Sequence, residues 1–241
     1  MSQTALVLIP GLMCDQAVWA GQCQALRARG VAFQVAEHGL ADSLSAMARA
    51  VLEANPGPLA VIGHSMGGRV ALEIARQGGA RLRGAALLDT GYRALAPGEA
   101  GERERAARMR LLELARREGV GAMAKTWLNG MVHPDRMHDT VLLTTIIEMF
   151  ERRSVAELAA QVKALLERPD AAGILPGIAA PTLLLCGEQD QWSPPAQHRE
   201  MAELIPASVF STVADCGHMS PMEQPAAVNA ALLSWLDRVL T

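Results

Sequence analysis

The stretch VIGHSMGG at residues 61–68 governs the interpretation of this chain, because an apolar run enters it and a helical pattern leaves it. A serine in the pattern G-x-S-x-G, placed between a strand and a helix, lies on a tight turn that needs small residues two positions before and after it. Gly63 and Gly67 meet that need. Such a turn presents the hydroxyl above the sheet, beside a helix N-terminus that favours developing negative charge. Ser65 is therefore a candidate nucleophile.

Short apolar runs occur on both sides of this turn along the chain and alternate with segments of helical spacing. Uninterrupted apolar runs are typical of strands that are buried on both faces. Alternating strands and helices predict an α/β fold with a mostly parallel sheet, right-handed crossovers and helices on both faces. The predicted strands are Ala5–Ile9, Ala32–Val35, Leu59–Ile62, Ala85–Leu88, Thr182–Cys186 and Val209–Val213.

The segment from Arg93 to Gly173 interrupts the alternation. It contains consecutive groups of apolar residues at helical spacing and no convincing strand pattern. Its first helix, Glu99 to Glu118, mixes arginines with glutamates. This composition is typical of a solvated surface joined by ion pairs, which we expect here; a partner-binding face is the less favoured interpretation.

A nucleophilic serine needs a base within hydrogen-bonding reach and an acid that orients the base. With this kind of turn, the expected order along the chain is serine, acid and then histidine. Asp190 follows the predicted strand Thr182–Cys186, and His218 follows the last predicted strand. Both lie in loops at the carboxyl ends of strands, so they are the candidate acid and base.

Other acidic residues compete for the role of acid. Asp89 also follows a predicted strand and is the alternative candidate. Glu188 lies two residues before Asp190 and is expected to face elsewhere. Asp215 is too close in sequence to His218 to orient its ring from behind.

We expect the remaining histidines and the cysteine nearest the candidate base to have no catalytic role. His64 is expected to be a structural residue beneath the turn rather than a base. Cys216 lies near the candidate base but not on a strand-to-helix turn, so a cysteine nucleophile is disfavoured. Four histidines have no motif context and are expected on the surface or in the helical segment: His38, His133, His138 and His198.

Composition excludes several classes of protein. The 22 Lys and Arg against 25 Asp and Glu give a net charge of −3, which disfavours a nucleic-acid partner. The first apolar run ends at Pro10, far short of the ~20 residues of a membrane span. The opening residues also lack the basic start of a signal peptide, so we expect a cytoplasmic protein with no membrane partner. The irregularly spaced cysteines predict reduced thiols and no metal site: Cys14, Cys23, Cys186 and Cys216.

With these motifs, the chain resembles the α/β-hydrolase superfamily, in particular its small single-domain esterase-like members. Four motifs carry the resemblance in order: LIPGLMCD at 8–15, GHSMGG at 63–68, GEQD at 187–190 and GHMSPMEQP at 217–225. The resemblance implies Ser65 as nucleophile, Asp190 as acid and His218 as base, with oxyanion donors from the backbone amides of Leu12 and Met66. It also implies one domain over residues 1–241, a helical lid at 93–173, and six strands in the spatial order 2-1-3-4-5-6, without the family's usual N-terminal hairpin.

The expected activity is hydrolysis of a small carboxylic ester through an acyl-enzyme, with no cofactor. Thioester, lactone or carbon–carbon bond hydrolysis, acyl transfer and perhydrolysis use the same groups and stay open, since a fold and a triad do not name a substrate. A ligand-sensing protein with little turnover is the contrasting hypothesis. The oligomeric state is not predicted.

Residues beside the motifs predict an apolar substrate pocket. Leu12, Met13, Met66, Trp192 and Met219 would form its wall, together with Met222. Arg69, on the helix after the turn, is expected to point away from the site. The sequence therefore predicts a preference for neutral esters, unless an arginine of the helical segment provides a counter-ion.

Overall fold

The computed structural model describes residues 4–240, which contain one six-stranded sheet in which every neighbouring pair is parallel. The strand order is β2-β1-β3-β4-β5-β6. Both the fold class and the strand order predicted from the sequence are confirmed. The strands are β1 (Ala5–Ile9), β2 (Gln34–Val35), β3 (Leu59–His64), β4 (Leu82–Leu88), β5 (Thr182–Gly187) and β6 (Ser208–Val213).

Ten α-helices in the described residues cover the sheet and extend beyond it. The helix after the predicted turn begins at Met66, and the last helix begins at Pro225, whose fixed φ suits a first turn. The helices are α1 (Ala20–Ala28), α2 (Leu44–Ala54), α3 (Met66–Gly78), α4 (Glu99–Glu118), α5 (Val120–Trp127), α6 (Thr140–Glu151), α7 (Val155–Leu166), α8 (Pro195–Leu204), α9 (Ser220–Glu223) and α10 (Pro225–Val239).

Central and edge strands differ in burial. All residues of β3 and β5 are buried, as their uninterrupted apolar runs predict. The prediction that all six strands are buried on both faces is wrong for β2 and β6, where most residues are exposed or half-buried. These two strands are the edges of the sheet, so each has only one neighbouring strand to cover it.

The register brings the carboxyl ends of the strands to one edge of the sheet. Ile9 in β1 pairs with Gly63 in β3, and Gly63 pairs with Leu87 in β4. In the other half of the sheet, Gly187 at the end of β5 pairs with Val213 at the end of β6. The loops after these strands therefore meet at the same edge, which in open α/β sheets is where ligands bind.

Helices α4 to α7 occupy the connection between β4 and β5, where the sequence predicts consecutive helices. Ser154 begins α7 with a capping box, because its hydroxyl accepts from the Glu157 amide while the Glu157 carboxylate accepts from the Ser154 amide. Asp139 caps α6 by accepting from the Leu142 amide. Buried apolar residues of these helices belong to the same hydrophobic cluster as the sheet. None of the helices in residues 4–240 is long and apolar enough to cross a membrane.

Candidate active site

The turn between β3 and α3 has the strained geometry that its sequence predicts. Ser65 has φ 54° and ψ −116°, a left-handed conformation that side chains other than glycine rarely adopt. Its amide donates to the Leu88 carbonyl oxygen, 2.8 Å away, which fixes the turn on the sheet. A Cβ atom at Gly67 would collide with the carbonyl oxygen of Ile9, and one at Gly63 would collide with the carbonyl oxygen of Gly67. Both glycines are therefore required by close backbone approach.

Three predicted site residues form a continuous hydrogen-bonded chain. The Ser65 Oγ lies 2.8 Å from Nε2 of His218, and Nδ1 of His218 lies 2.9 Å from Oδ2 of Asp190. The His218 amide donates to the Met131 carbonyl oxygen at 2.8 Å, which holds the imidazole between its two partners. This arrangement can move a proton from the serine hydroxyl to the ring while the carboxylate stabilises the resulting imidazolium.

The Asp190 carboxylate is nearly inaccessible to solvent and is held by backbone donors. Its Oδ1 accepts from the amides of Trp192 and Ser193, each at 2.9 Å. Burial acts to raise the pKa of Asp190, but the charge and hydrogen bond of His218 and the two amides outweigh it, so the pKa is lowered. Asp190 therefore stays ionised beside the imidazole.

The alternative acid, Asp89, does not contact the His218 ring. It is fully buried; Ser220 Oγ donates to its Oδ2 at 2.5 Å and the Gly187 amide donates to its Oδ1 at 3.1 Å. Burial and the nearby Asp190 charge raise its pKa well above the usual value. The geometry favours Asp190 over Asp89 as the group that orients His218.

His64 lies beneath the turn and contacts the main chain of the candidate base. Its Nε2 is 2.8 Å from the His218 carbonyl oxygen, and burial lowers its pKa to about 3. A ring that stays neutral can donate one hydrogen bond to this carbonyl. His64 is thus placed to support the loop that carries His218 and does not contact the Ser65 hydroxyl.

The residues of the two predicted oxyanion donors, Leu12 and Met66, line the same cavity as Ser65. No hydrogen bond within residues 4–240 uses the amide of Leu12 or the amide of Met66, so both N–H groups are available to a ligand. The amide of Met13, between Leu12 and Cys14, instead donates to Oε1 of Gln161 on α7 at 2.8 Å. Sequence reasoning missed Gln161, because a lone glutamine in an amphipathic helix gives no local signal.

A cavity of about 780 Å³ opens above Ser65 and is lined partly as predicted. Leu12, Met66, Trp192 and Met219 line it. The prediction is wrong for Met222, which does not line this cavity, and for Met13, which is fully buried in the hydrophobic core and is not among the lining residues. Its positive φ of 61° breaks the extended course of the loop, so neighbouring side chains cannot all face the cavity.

The prediction that Arg69 points away from the site is also wrong, because Arg69 lines the cavity. It lies four residues after Ser65, and residues four apart share one face of a helix. The solvated surface predicted for Glu99–Glu118 holds only in part. Ion pairs such as Arg103 with Glu99 are exposed, but other charged residues join the cavity wall: Glu104, Arg108 and Arg110 from α4, and Arg168 from the loop after α7.

Two of the four motif-free histidines are not surface or helical-segment residues. His198 is fully buried and accepts from the Thr90 amide at 3.1 Å, and His38 is buried with Nε2 3.0 Å from the Pro10 carbonyl oxygen. Both satisfy backbone groups near the ends of strands. Burial raises the pKa of the Cys216 thiol well above its usual value, which opposes a role as nucleophile. No cluster of three or more metal-binding side chains occurs in the described part of the chain.

Comparison with known proteins places this chain in a family. A model of the alpha/beta hydrolase family matches residues 6–231. The chain is 28% identical over 256 residues to the polyketide synthase ThaQ of Burkholderia thailandensis, covering 98% of this chain and 12% of that protein. It is 30% identical over 174 residues to a 2-succinyl-6-hydroxy-2,4-cyclohexadiene-1-carboxylate synthase of Klebsiella pneumoniae, covering 71% of this chain and 66% of the synthase. The chain thus spans less than two thirds of either relative.

A solved structure matches over the full length. A thermophilic esterase from Thermogutta terrifontis, solved with malate bound, superimposes with a TM-score of 0.87 and is 29% identical. The match covers 100% of this chain and 92% of the esterase. The likeness therefore includes the sheet, the turn at Ser65 and the helices between β4 and β5.

Proposed function

Because this chain belongs to the alpha/beta hydrolase family, we propose that it is a serine hydrolase that cleaves small carboxylic esters through an acyl-enzyme. The observation that carries the proposal is the chain of hydrogen bonds from Ser65 Oγ through His218 to Asp190, at 2.8 and 2.9 Å. Nucleophile, base and orienting acid are joined in the order that activates a serine. Likeness to a solved esterase supports the same class.

Acylation begins when Ser65 Oγ attacks the ester carbonyl carbon and its proton passes to Nε2 of His218. The carbonyl oxygen becomes an oxyanion, which accepts hydrogen bonds from the amides of Leu12 and Met66. The imidazolium then gives its proton to the departing alcohol oxygen, the C–O bond breaks, and the acyl group stays on Ser65. Asp190 stabilises the imidazolium throughout and fixes its orientation.

Deacylation repeats these steps with water. His218 removes a proton from water, whose oxygen attacks the acyl carbon, and the proton then returns to Ser65 Oγ as the acid product leaves. The backbone geometry supports both halves, because the strained turn holds Ser65 at the N-terminus of α3, with Oγ 2.8 Å from Nε2 of His218. The helices α4 to α7 contribute the wall of the cavity opposite the sheet, which supports their role as a lid.

A test of this proposal must distinguish ester hydrolysis from reactions of other acyl compounds. Thioesters, lactones, carbon–carbon bond hydrolysis, acyl transfer and perhydrolysis could use the same three side chains. A ligand-sensing protein would keep the cavity and turn over slowly. The cavity wall near Ser65 includes Leu12, Trp127, Phe150 and Trp192, which suits a small acyl or alcohol group with an apolar part.

We would test the proposal with 4-nitrophenyl esters of increasing acyl length, beside thioesters and lactones, on the wild type and on Ser65→Ala. The expected result is turnover that Ser65→Ala removes and covalent labelling by a fluorophosphonate that the same substitution prevents. Arg105→Gln, an exposed change outside the cavity, is the matched control. Near wild-type ester hydrolysis by pure Ser65→Ala would contradict the proposal, and slow turnover of every compound with tight binding of one would favour the sensor.

A further inference from the structure

The cavity wall carries an excess of positive charge although the whole chain has a net charge of −3. Its charged lining residues are one acid, Glu104, and four bases, namely Arg69, Arg108, Arg110 and Arg168. The rest of the lining is mainly apolar or uncharged. The wall is therefore suited to a ligand that has an apolar part and an anionic part.

The Glu104 carboxylate pairs with two of these arginines. Its Oε1 and Oε2 accept from Nη1 and Nη2 of Arg168 at 2.7 and 2.8 Å, a bidentate pair, and Oε1 accepts from Nε of Arg108 at 2.9 Å. Burial acts to raise the pKa of Glu104, but the two guanidinium groups outweigh it and lower the pKa to about 2. Glu104 is ionised, and its hydrogen bonds go to Arg168 and Arg108 and not to Arg69.

Two of the lining arginines have no acidic partner among residues 4–240: Arg110, which is exposed, and Arg69, which is half-buried. Arg69 is the one on the same helix as the Ser65 turn. Among residues 4–240 it forms no ion pair, and its Nη1 donates to the Arg93 carbonyl oxygen at 2.9 Å. Nε of Arg168 donates to the same oxygen at 3.1 Å, so two guanidinium groups lie close together. Burial and the neighbouring charge of Arg168 lower the pKa of Arg69, while the charge of Glu104 opposes the change. An anion beside Arg69 would offset both the cost of burying its charge and the repulsion from Arg168.

Arg69 is also close to the reacting groups. It lies one helical turn after Ser65, about 6 Å further along the axis of α3, and both residues line the same cavity. Nη2 of Arg69 lies against Gly91, in the loop whose Thr90 hydroxyl donates to the Ser65 carbonyl oxygen at 2.6 Å. An ester whose carbonyl oxygen meets the Leu12 and Met66 amides can therefore reach Arg69 with a second group.

We propose that the substrate carries a carboxylate in addition to the scissile ester, and that Arg69 binds this carboxylate. The inference rests on the proposed function. A guanidinium donates two parallel hydrogen bonds to a planar carboxylate. A phosphate would need further donors from Arg108 and Arg168, which Glu104 holds. The alternative interpretation, that Arg69 only ties α3 to the Arg93 carbonyl, predicts no dependence on substrate charge.

The experiment compares kcat/KM for two esters of equal shape, mono-4-nitrophenyl adipate and 4-nitrophenyl 6-methylheptanoate. A second pair places the carboxylate on the alcohol side, carboxymethyl butyrate and isobutyl butyrate. We expect at least a tenfold preference for the anionic member of one pair, about 1.4 kcal/mol of transition-state binding. Arg69→Gln should remove this preference, Arg69→Lys should keep part of it, and the exposed Arg105→Gln should leave it intact. Thermal melts check that each variant folds.

The outcomes separate this inference from the proposed function. If Ser65-dependent hydrolysis occurs but neither pair shows a preference for the anionic ester, the proposed carboxylate site is wrong and the proposed hydrolase function is retained. The same conclusion follows if Arg69→Gln retains the preference. If no ester is cleaved, binding of monomethyl adipate to Ser65→Ala is measured by calorimetry. Binding that Arg69→Gln weakens at least tenfold supports the carboxylate site alone, and equal binding overturns it. Tighter binding of inorganic phosphate than of monomethyl adipate would also overturn it.

Discussion

The cavity has two walls of different origin. One is built from the loops at the carboxyl edge of the sheet and carries Ser65, Asp190 and His218. The other is built largely from the helical segment after β4 and carries Glu104, Arg108 and Arg168, while Arg69 stands between them on α3. Backbone contacts fix the first wall, and side-chain ion pairs organise the second.

This difference separates reaction from selection. A strained turn holds Ser65, and backbone donors hold the Asp190 carboxylate, independently of any side chain of the second wall. Under the proposed function, the second wall would contact parts of the substrate that do not react, so changes there should alter which ester is cleaved. The predictions below test this division, beginning with the wall that carries the chemistry.

The largest effect is expected for Ser65→Ala and His218→Ala. Each should lower kcat by about 10⁴-fold or more, because either change breaks the nucleophile–base unit. Their effects should not add, so the double variant should match either single variant. Measurement of kcat for the four proteins decides this, and an additive loss would show that the two side chains act independently.

The next effect concerns the acid. Asp190→Asn should lower kcat by about 10²- to 10⁴-fold, because an amide cannot stabilise the imidazolium and favours the wrong ring tautomer. Asp89→Asn is the matched control and should lower kcat much less, since Asp89 bonds to Ser220 and Gly187. Steady-state kinetics of both variants give the ranking, and a reversed ranking would move the acid to the end of β4.

A smaller effect is expected at Gln161, where the two walls meet. Gln161→Leu removes the acceptor for the Met13 amide and should lower kcat by about tenfold with little change in KM, because the adjacent Leu12 amide loses its alignment. Gln161→Glu keeps an acceptor and should retain more activity. The exposed Gln77→Leu serves as control. A rise in KM at unchanged kcat would instead assign Gln161 to substrate binding.

The smallest effect is expected on the stability of the protein, from a change in the second wall. Glu104→Gln should lower the free energy of unfolding at pH 7 by about 1–3 kcal/mol, since it leaves Arg168 without its carboxylate. The pKa of Glu104 is lowered to about 2, so its stabilising contribution is complete above its ordinary value of 4.5 and is lost as pH falls toward 2. Urea unfolding measured at several values between pH 7 and pH 3.5 should show that the difference in the free energy of unfolding between wild type and Glu104→Gln becomes smaller as the pH falls. A difference that stays constant with pH would show that the charge of Glu104 is not its cause. Glu99→Gln, a change at an exposed residue, is the control and should change the free energy of unfolding little.

The sequence was most informative where backbone geometry limits the choice of residue. Gly63 and Gly67 are set by close backbone approach, and the strand ends determine where Asp190 and His218 lie. Residues whose role depends on the packing of distant segments were harder to predict. Arg168 reaches Glu104 across 64 residues, and no local pattern signals such a pair.

Two errors have simple physical causes. The sequence-based prediction that Arg69 points away from the site neglects its spacing of four residues from Ser65, which puts both residues on one face of α3. His38 and His198 have no motif context, which predicts positions outside the core, yet each is buried where a backbone group needs a partner. Polar residues that satisfy buried main-chain groups leave no periodic signature.

Contacts from the end of α6 and from α7 bear on how the cavity can open. They reach three consecutive loop residues after β1: Gln161 accepts from the Met13 amide, Arg153 donates to the Cys14 carbonyl oxygen, and Arg152 pairs with Asp15. A rigid outward swing of this part of the segment would break all three contacts and displace the Leu12 amide. The end of α6 and α7 are therefore tied to the loop that carries the Leu12 amide. A chimaera in which another protein's helices replace α4 to α7 would have to retain these three contacts.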